Sequence, residues 1–329
     1  MVASGRSLHL IVLQLLNMTI PKLAGLIAAP FTPMDQRGAL DLSMIPGYYE
    51  FLKANRVSGA FICGSTGEGV SMTPAEKKQV ASAWAACAGG DPDFTVIMLL
   101  GGTCLADCKD LALHAASEKL DAVSFTSPFY FKPANVAVLA AACAEIAAVV
   151  PEMPFYYYHI PVLTGGNYAM FDLLKAVDGK IPNFAGIKFT HEDFMDFQTC
   201  LNFGGGKYDI LAGRDENLLS ALVLGTKAAV GSTFNYAAPL YHDMIEAFNQ
   251  NDLVRARSLQ QKSIDMIRLL GKYGGISVGK TYMKLVGIDC GEFRLPVANM
   301  NAEQFKAFKA DVELLGFDTF KSVPAARLT

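Results

Sequence analysis

The sequence predicts a closed parallel (β/α)8 barrel, also called a TIM barrel, that is followed by a C-terminal helical appendage. From residue 23 onward, short apolar runs alternate with helical segments at roughly the spacing of a strand, a loop and a helix. The eight runs match the strand number of such a barrel, which typically takes about 250 residues. The alternative is an open doubly wound sheet. It would require a phosphate-binding glycine turn after the first strand, where this chain has Pro30-Phe31-Thr32-Pro33.

The predicted strands are apolar runs bounded by turn residues, which is typical of strands buried on both faces. They span residues 23–30, 58–63, 95–100, 122–126, 155–160, 184–190, 208–212 and 228–230. The sixth run contains Lys188, and lysine is almost never fully buried without a partner or a function. This run is therefore the first place to look for chemistry.

Helical signals lie between the runs. The clearest is Thr73-Pro74-Ala75-Glu76, which predicts an N-cap threonine, a first-turn proline and a glutamate that bonds back to the cap. Further helices are predicted at 105–118, 136–150, 169–177 and 216–224, and after the eighth run at 239–250, 253–270, 281–286 and 302–315. We therefore expect an N-terminal extension (1–22), a barrel (23–252) and C-terminal helices (253–329).

Composition excludes several classes of protein. Hydrophobic residues make up 52% of the chain and charged residues 18%, so disorder is excluded. The formal net charge is −3 and there is no long basic run, so nucleic acid is not expected as a partner. The apolar stretch at residues 8–16 is too short to span a bilayer, so no membrane partner is expected either.

The seven cysteines are scattered and include no CxxC pair. Cys104 and Cys108 lie four residues apart, but no His or Cys cluster nearby completes a zinc site. No metal is therefore expected. The odd number of scattered cysteines favours a reducing compartment, and we expect a cytoplasmic protein.

In a parallel barrel the active site lies at the C-terminal ends of the strands, so the polar residues that close each run are expected to face one pocket. Lys188 is the central candidate. Burial in a barrel disfavours its charged form, and the neutral amine can attack a carbonyl to form an iminium, which is an electron sink. Tyr158 lies at the same level and can shuttle a proton, while Ser65 and Thr66 offer hydroxyls and backbone N–H groups to a carboxylate.

Each of these features also has a structural interpretation. Lys188 could reach solvent or pair with a carboxylate, and the tyrosines at 156–158 could fill the core. The glycine turn at 64–69 could be an ordinary connection, and Asp215 with Glu216 could be the acidic first turn of a helix. His159 is assigned no chemistry, because a lone histidine is more often structural.

Residues 274–281, Gly-Gly-Ile-Ser-Val-Gly-Lys-Thr, match the phosphate-binding Walker A pattern. That pattern requires a strand before the loop, and here an amphipathic helical segment at 263–270 precedes it. We therefore do not expect the segment to bind a nucleotide.

Three motifs together, Gly64-Ser65-Thr66-Gly67-Glu68, Tyr158-x-Ile160-Pro161 and Gly186-Ile187-Lys188, resemble those of the pyruvate-dependent class I aldolases. This family includes N-acetylneuraminate lyase and dihydrodipicolinate synthase, and the likeness runs from about residue 22 to residue 296. The segment at 156–165 and Arg294-Leu295-Pro296 are similar to the animal-type lyases within it.

The resemblance implies that Lys188 forms a Schiff base with pyruvate or open-chain sialic acid and that Tyr158 moves a proton between the sugar C4 hydroxyl and the imine. It implies that Ser65 and Thr66 hold the carboxylate and that Tyr130 reaches the site of a neighbouring subunit. The positions that match sugar-binding residues of the family are Thr190, Gly213, Asp215, Glu216 and Ser232. The expected enzyme is a homotetramer without metal or organic cofactor.

One position separates the two main activities. The synthase has an arginine shortly after its Tyr-Asn-Val-Pro motif to bind a substrate carboxylate, and the matching residue here is Leu163. The resemblance therefore implies reversible cleavage of N-acetylneuraminate to N-acetylmannosamine and pyruvate. A related aldolase or dehydratase acting on another 2-keto acid, such as a dihydrodipicolinate synthase or a 2-keto-3-deoxy sugar acid aldolase, is an alternative, as is a non-catalytic barrel protein.

Overall fold

The computed structural model describes residues 20–324. Within this range eight parallel strands close into a barrel in chain order, with β8 paired to β1. The strands are β1 (Gly25–Ala28), β2 (Gly59–Ile62), β3 (Thr95–Gly101), β4 (Ala122–Thr126), β5 (Phe155–His159), β6 (Phe184–Phe189), β7 (Asp209–Ala212) and β8 (Ala228–Gly231). The predicted (β/α)8 barrel is confirmed. The segment at 8–16 lies outside the described residues.

Alternation along each strand sends side chains to two separate cores. On β5, Tyr156 and Tyr158 point into the barrel, where Phe61 of β2 is among their neighbours. Tyr157 points outward into the layer between the strands and the helices. Because both faces are covered, almost every strand residue is buried, which explains the continuous apolar runs in the sequence. The register of β5 and β6 places Tyr158 directly beside Lys188.

The helices of the described chain are α1 (Ile45–Ala54), α2 (Pro74–Ala88), α3 (Leu105–Ser117), α4 (Val136–Ala147), α5 (Pro161–Thr164), α6 (Met170–Val177), α7 (Phe194–Asn202), α8 (Leu218–Leu224), α9 (Phe234–Asn249), α10 (Leu253–Tyr273), α11 (Val278–Val286) and α12 (Ala302–Leu314). The predicted N-terminus of α2 is confirmed. The Glu76 N–H donates to Thr73 Oγ1 (3.2 Å), and the Thr73 N–H donates to Glu76 Oε2 (2.9 Å).

Helix α9 differs from its prediction, which began at Pro239. It begins at Phe234, directly after β8, and contains Pro239 in its interior. Proline lacks an N–H and its ring clashes with the preceding turn. The helix is accordingly kinked at Ala237, whose φ of −139° is not helical. Helix α1 was not predicted, because Pro46 and Gly47 at its start are also typical of a turn.

The three C-terminal helices α10–α12 follow the barrel with no strand between them in the described residues. Aromatic rings join α11 and α12 to α9. Tyr236 of α9 stacks on Tyr282 of α11 at 4.6 Å between centroids, and Tyr282 contacts Phe308 of α12 at 4.9 Å. These rings belong to the same buried cluster as the layer between strands and helices. The C-terminal helices therefore pack directly on the barrel.

The Walker A-like segment covers the turn after α10 and the first residues of α11, and the side chain of its lysine is paired with a carboxylate. Lys280 Nζ lies 2.8 Å from Glu68 Oε1, and the two side chains are only 1% and 2% exposed. Lys280 also donates to the carbonyl of Glu292, while Glu68 Oε2 accepts the N–H of Arg294. A helix, α10, precedes the segment as the sequence predicted, where the Walker A pattern requires a strand.

None of the helices described between residues 20 and 324 is long and apolar enough to cross a membrane.

The Glu68–Lys280 pair predicts a strong stability effect. Replacing Lys280 by Ala leaves the Glu68 carboxylate buried without its cation, which costs about 3–5 kcal/mol in the free energy of unfolding. Urea unfolding followed by circular dichroism measures this value. Lys284→Ala on the same helix is the control, because its partner Glu292 is exposed and such pairs contribute about 0–1 kcal/mol. Equal unfolding free energies for the two variants would contradict the prediction.

Candidate active site

A cavity of about 290 Å³ opens at the C-terminal end of the barrel. Side chains from β5 and β6 form its floor, and the segments that follow β2, β5, β7 and β8 form its wall. Its lining includes nine of the ten predicted site residues, namely Ser65, Thr66, Tyr158, Lys188, Thr190, Gly213, Asp215, Glu216 and Ser232. This is the end of the barrel at which the strand-closing residues were expected to meet.

Lys188 reaches the cavity from inside the barrel and is 4% exposed. Its Nζ lies 4.1 Å from the centroid of the Phe61 ring and 4.2 Å from that of Tyr158. Burial lowers the pKa of this amine from 10.5 to about 7, against the opposing effect of the Asp215 carboxylate. A large fraction of the amine is therefore neutral at physiological pH, and a neutral amine can attack a carbonyl carbon.

Tyr158 is the neighbour of Lys188 on the adjacent strand and is also buried. Burial raises the pKa of its phenol to about 12, although the hydroxyls of Ser65 and Thr190 beside it oppose the rise. The phenol is therefore protonated at neutral pH and can both donate and accept a hydrogen bond. Its backbone carbonyl accepts a hydrogen bond from Thr126 Oγ1 at 2.9 Å, which ties β5 to β4 at this level.

The turn after β2 brings Ser65 and Thr66 to the cavity. Two backbone bonds shape it, from the Glu68 N–H to the Ser65 carbonyl (3.2 Å) and from the Gly69 N–H to the Gly64 carbonyl (3.0 Å). A third bond, from Thr32 Oγ1 to the Gly67 carbonyl at 2.6 Å, fastens the turn to the segment after β1. Because these bonds fix the backbone, the two hydroxylated residues have defined positions.

Asp215 follows β7 and is buried at the cavity wall. Its Oδ2 accepts hydrogen bonds from the backbone N–H of Thr233 (2.9 Å) and from Thr233 Oγ1 (2.6 Å). Burial raises the pKa of this carboxyl to about 6, while the bonds from Thr233 and the charge of Lys188 oppose the rise. Asp215 is therefore mostly ionised at neutral pH.

Glu216 is held by a residue that the sequence did not single out. Arg214 Nη1 lies 2.8 Å from Glu216 Oε1, and Arg214 Nη2 lies 2.7 Å from Glu192 Oε1. The guanidinium thus joins carboxylates from the segments after β6 and β7 at the cavity rim. The only sequence signal was a basic residue next to an acidic pair, which does not reveal that Glu192 is the second partner.

Thr190 and Gly213 are brought together at the ends of β6 and β7. A Cβ atom at Gly213 would lie 1.9 Å from Thr190 Oγ1, a distance that no real contact allows. Gly213 is therefore the residue that leaves room for the Thr190 hydroxyl. His159 points away from the cavity and packs on Phe189 at 5.1 Å between ring centroids. Burial lowers its pKa to about 3, so the ring is neutral at physiological pH, and it does not line the cavity.

Tyr130 does not line this cavity and is 76% exposed, and its predicted role in the site of a neighbouring subunit stays a prediction. One finding was not anticipated from the sequence. The C-terminal helices contribute to the cavity through Ile267 and Leu270 of α10 and Ile276 of the following turn. These apolar side chains carry no motif, and only the docking of α10 beside the barrel mouth reveals their position.

Comparisons with known proteins identify a family and individual relatives of this chain. The model of the dihydrodipicolinate synthetase family matches residues 22–315. The N-acetylneuraminate lyase of Rattus norvegicus is 40% identical over 303 residues, which cover 91% of this chain and 94% of that protein. The N-acetylneuraminate lyase of Homo sapiens is 39% identical over 313 residues, which cover 93% and 97%.

Among solved structures, the N-acetylneuraminate lyase of Proteus mirabilis has a TM-score of 0.87 and 40% sequence identity, covering 90% of this chain and 100% of that chain. The family match extends over most of the sequence, and the relatives align over nearly their full length. The chain therefore belongs to the dihydrodipicolinate synthetase family.

Proposed function

We propose that this protein is a Schiff-base lyase that cleaves N-acetylneuraminate reversibly to N-acetylmannosamine and pyruvate. The observation that carries the proposal is the buried Lys188 amine, whose pKa of about 7 leaves much of it neutral inside a polar cavity. Relatives at about 40% identity over most of the chain bear the name N-acetylneuraminate lyase. The substrate and products are assigned from that name and from the polar character of the cavity wall.

In the proposed reaction Lys188 Nζ attacks C2 of the open-chain sugar acid, and water leaves as the imine forms. The protonated imine then accepts the electron pair of the C3–C4 bond as that bond breaks. Tyr158 is protonated at neutral pH, so it acts as a relay rather than as a phenolate base. Its oxygen accepts the proton of the C4 hydroxyl while its own proton passes towards C3 of the enamine that the bond cleavage leaves. Water then hydrolyses the resulting imine, which releases pyruvate and frees the Lys188 amine.

The two sides of the cavity suit the two parts of the substrate. Ser65 and Thr66, in their fixed turn, are proposed to bind the carboxylate through hydroxyl and backbone N–H groups. Across the cavity, Asp215 and Glu216 offer carboxylate oxygens to sugar hydroxyls. The other proposed sugar-binding residues are Thr190, Gly213 and Ser232. A polyhydroxylated chain needs such acceptors, because each unpaired hydroxyl that it buries costs free energy.

The proposal includes the assembly and the surroundings of the enzyme. The segment after β4 exposes Phe129, Tyr130 and Phe131, which favours contact with a second copy, and we propose a homotetramer in which Tyr130 reaches a neighbouring site. The seven cysteines are free thiols, which favours the cytoplasm. The chemistry is assigned to the lysine–pyruvate Schiff base without a metal or organic cofactor.

Covalent trapping tests the role of Lys188. Borohydride reduction in the presence of pyruvate is expected to add the mass of one reduced pyruvate to the peptide that contains Lys188, because only an imine is reduced to a stable amine. Peptide mass spectrometry measures the adduct, and Lys188→Met is expected to abolish it. Unlabelled enzyme, or label confined to another lysine, would contradict the Schiff-base mechanism.

Tyr158→Phe serves as the matched control for that experiment. It keeps the ring beside Lys188, so the adduct is expected to form, while kcat for release of N-acetylmannosamine falls about 10²–10⁴-fold with the loss of proton transfer. If the wild-type enzyme forms the adduct but releases no N-acetylmannosamine from N-acetylneuraminate, another keto acid is the substrate.

The Asp215 charge predicts a shift in pH dependence. The rate of imine formation is expected to rise with pH through the Lys188 pKa of about 7, because only the neutral amine attacks. The Asp215 carboxylate stabilises the ammonium form, so Asp215→Asn lowers this pKa and moves the rise to lower pH. The pH profile of borohydride trapping measures the midpoint.

Glu216→Gln is the control for the pH experiment, because the Glu216 carboxylate is paired with Arg214 and lies at the rim. Its midpoint is expected to stay near that of the wild type. An Asp215→Asn midpoint that stays in place or moves to higher pH would show that the two groups are not coupled as the geometry indicates.

Leu163 is proposed to select against substrates that carry a second carboxylate. It lies on α5, lines the cavity and is 62% exposed. Leu163→Arg is expected to improve kcat/KM for aspartate semialdehyde relative to N-acetylmannosamine, with pyruvate as co-substrate. A hydrogen bond to a charged group contributes about 1.5–3 kcal/mol, which corresponds to about tenfold to hundredfold.

Val162→Arg is the matched control, because Val162 is the adjacent cavity residue and is also exposed. It adds the same charge in a different direction around the short helix. Equal changes in preference for both variants would indicate a general charge effect and not a specific position.

A further inference from the structure

Asp215 is the end of a buried chain of hydrogen-bonding side chains that the proposed reaction does not use. Thr233 Oγ1 lies 2.6 Å from Asp215 Oδ2 and 2.6 Å from the Tyr241 hydroxyl. The Tyr241 hydroxyl in turn lies 2.8 Å from Ser263 Oγ. Thr233, Tyr241 and Ser263 are at most 1% exposed. The chain therefore runs from the cavity wall into the contact between α9 and α10.

The chemistry of the four groups determines the direction of these bonds. An ionised carboxylate only accepts, so the single hydroxyl proton of Thr233 must point to Asp215. Tyr241 then donates to the Thr233 oxygen, and Ser263 donates to the Tyr241 oxygen. All three donors point towards Asp215, and hydrogen bonds aligned in this way strengthen one another.

The arrangement also determines which oxygen of Asp215 has no hydrogen-bond donor from the described residues. Both hydrogen bonds to the carboxylate, from the Thr233 N–H and the Thr233 hydroxyl, end on Oδ2. Oδ1 lies over Gly231 of β8, where a Cβ atom would come within 2.1 Å of it. Thr233 thus binds the carboxylate through Oδ2, and the backbone of Gly231 packs against it. Oδ1 is left to accept hydrogen bonds from a substrate.

We propose that Thr233 and Tyr241 are positioning residues that hold Asp215 so that Oδ1 meets the hydroxyls of the polyhydroxylated aldehyde half of the substrate. The inference rests on the proposed lyase function and adds to it two residues that act through Asp215. Thr233 and Tyr241 are assigned a role in binding the aldehyde alone. In the proposed function, pyruvate is held by Lys188 and by the turn at Ser65 on the other side of the cavity.

The test is the condensation reaction, in which pyruvate and N-acetylmannosamine bind as separate substrates. Thr233→Val removes the hydroxyl but keeps the shape of the side chain and the backbone N–H. It is expected to raise the KM for N-acetylmannosamine about tenfold or more, because a bond to a charged group is lost. At a pH above the pKa values of both Asp215 and Lys188, the KM for pyruvate and the yield of borohydride-trapped adduct are expected to stay unchanged.

Two variants extend the test along the hydrogen-bonded side chains that lead from Asp215 to Ser263. Thr233→Ser restores the hydroxyl and is expected to restore the KM for N-acetylmannosamine. Tyr241→Phe removes only the donor to Thr233, so it is expected to raise the same KM by a smaller factor. Thr226→Val is the control, because Thr226 is a buried threonine whose hydroxyl bonds to carbonyls at the other end of β8. Its KM values are expected to match those of the wild type.

An unchanged KM for N-acetylmannosamine in Thr233→Val would overturn the inference. So would an equal rise in both KM values, or a loss of adduct, since these indicate general damage to the fold. If the wild-type protein itself forms no pyruvate adduct, the proposed function fails, and this outcome is distinct from a failure of the positioning role.

Discussion

The desolvation of one amine is the constraint on which the site depends. Lys188 lies between two aromatic rings inside the barrel, and burial there lowers its pKa by disfavouring the ammonium form. A single carboxylate, Asp215, opposes this effect without cancelling it. If the amine reached solvent it would stay protonated at neutral pH and would not be nucleophilic. The packing of the strands around this nitrogen therefore also sets its protonation state.

The same burial sets the state of the groups around the lysine. It raises the pKa of the Tyr158 phenol to about 12 and that of the Asp215 carboxyl to about 6, whereas it lowers that of Lys188, because burial disfavours the charged form of each group. Asp215 stays ionised at neutral pH because Thr233 donates two hydrogen bonds to it. The site thus combines a neutral amine, a neutral phenol and an anion within one small cavity, which is the combination that imine chemistry on a hydroxylated substrate needs.

The layer outside the barrel supports the site as well. The buried Glu68–Lys280 pair ties the turn after β2 to α11, and α10 supplies both Ser263 behind Asp215 and apolar side chains at the cavity mouth. The C-terminal helices are therefore part of the site and not only an appendage. Membership in the dihydrodipicolinate synthetase family agrees with this arrangement, because the family match extends to residue 315 and includes these helices.

Much of this protein could be predicted from local sequence. Apolar runs with turn residues located all eight strands, the Thr73-Pro74-Glu76 pattern located the start of α2, and the polar residues that end the strands formed the list of site residues. These signals are readable because burial, capping and strand polarity act over a few neighbouring residues. Strand-end residues could then be grouped, because the C-terminal ends of parallel strands in a barrel meet at one end.

The sequence by itself thus determined the barrel, the lysine in its sixth strand and most of the residues around the cavity. Only the tertiary structure decided that Arg214 joins Glu192 to Glu216, that Ser263 and Tyr241 stand behind Thr233, and that Lys280 neutralises Glu68. These contacts join segments that lie far apart in the chain or on different helices. The contacts of Arg214 depend on how the ends of β6 and β7 meet, and those of Tyr241, Ser263 and Lys280 depend on how α9, α10 and α11 dock against the closed barrel. No local pattern of residues encodes either arrangement.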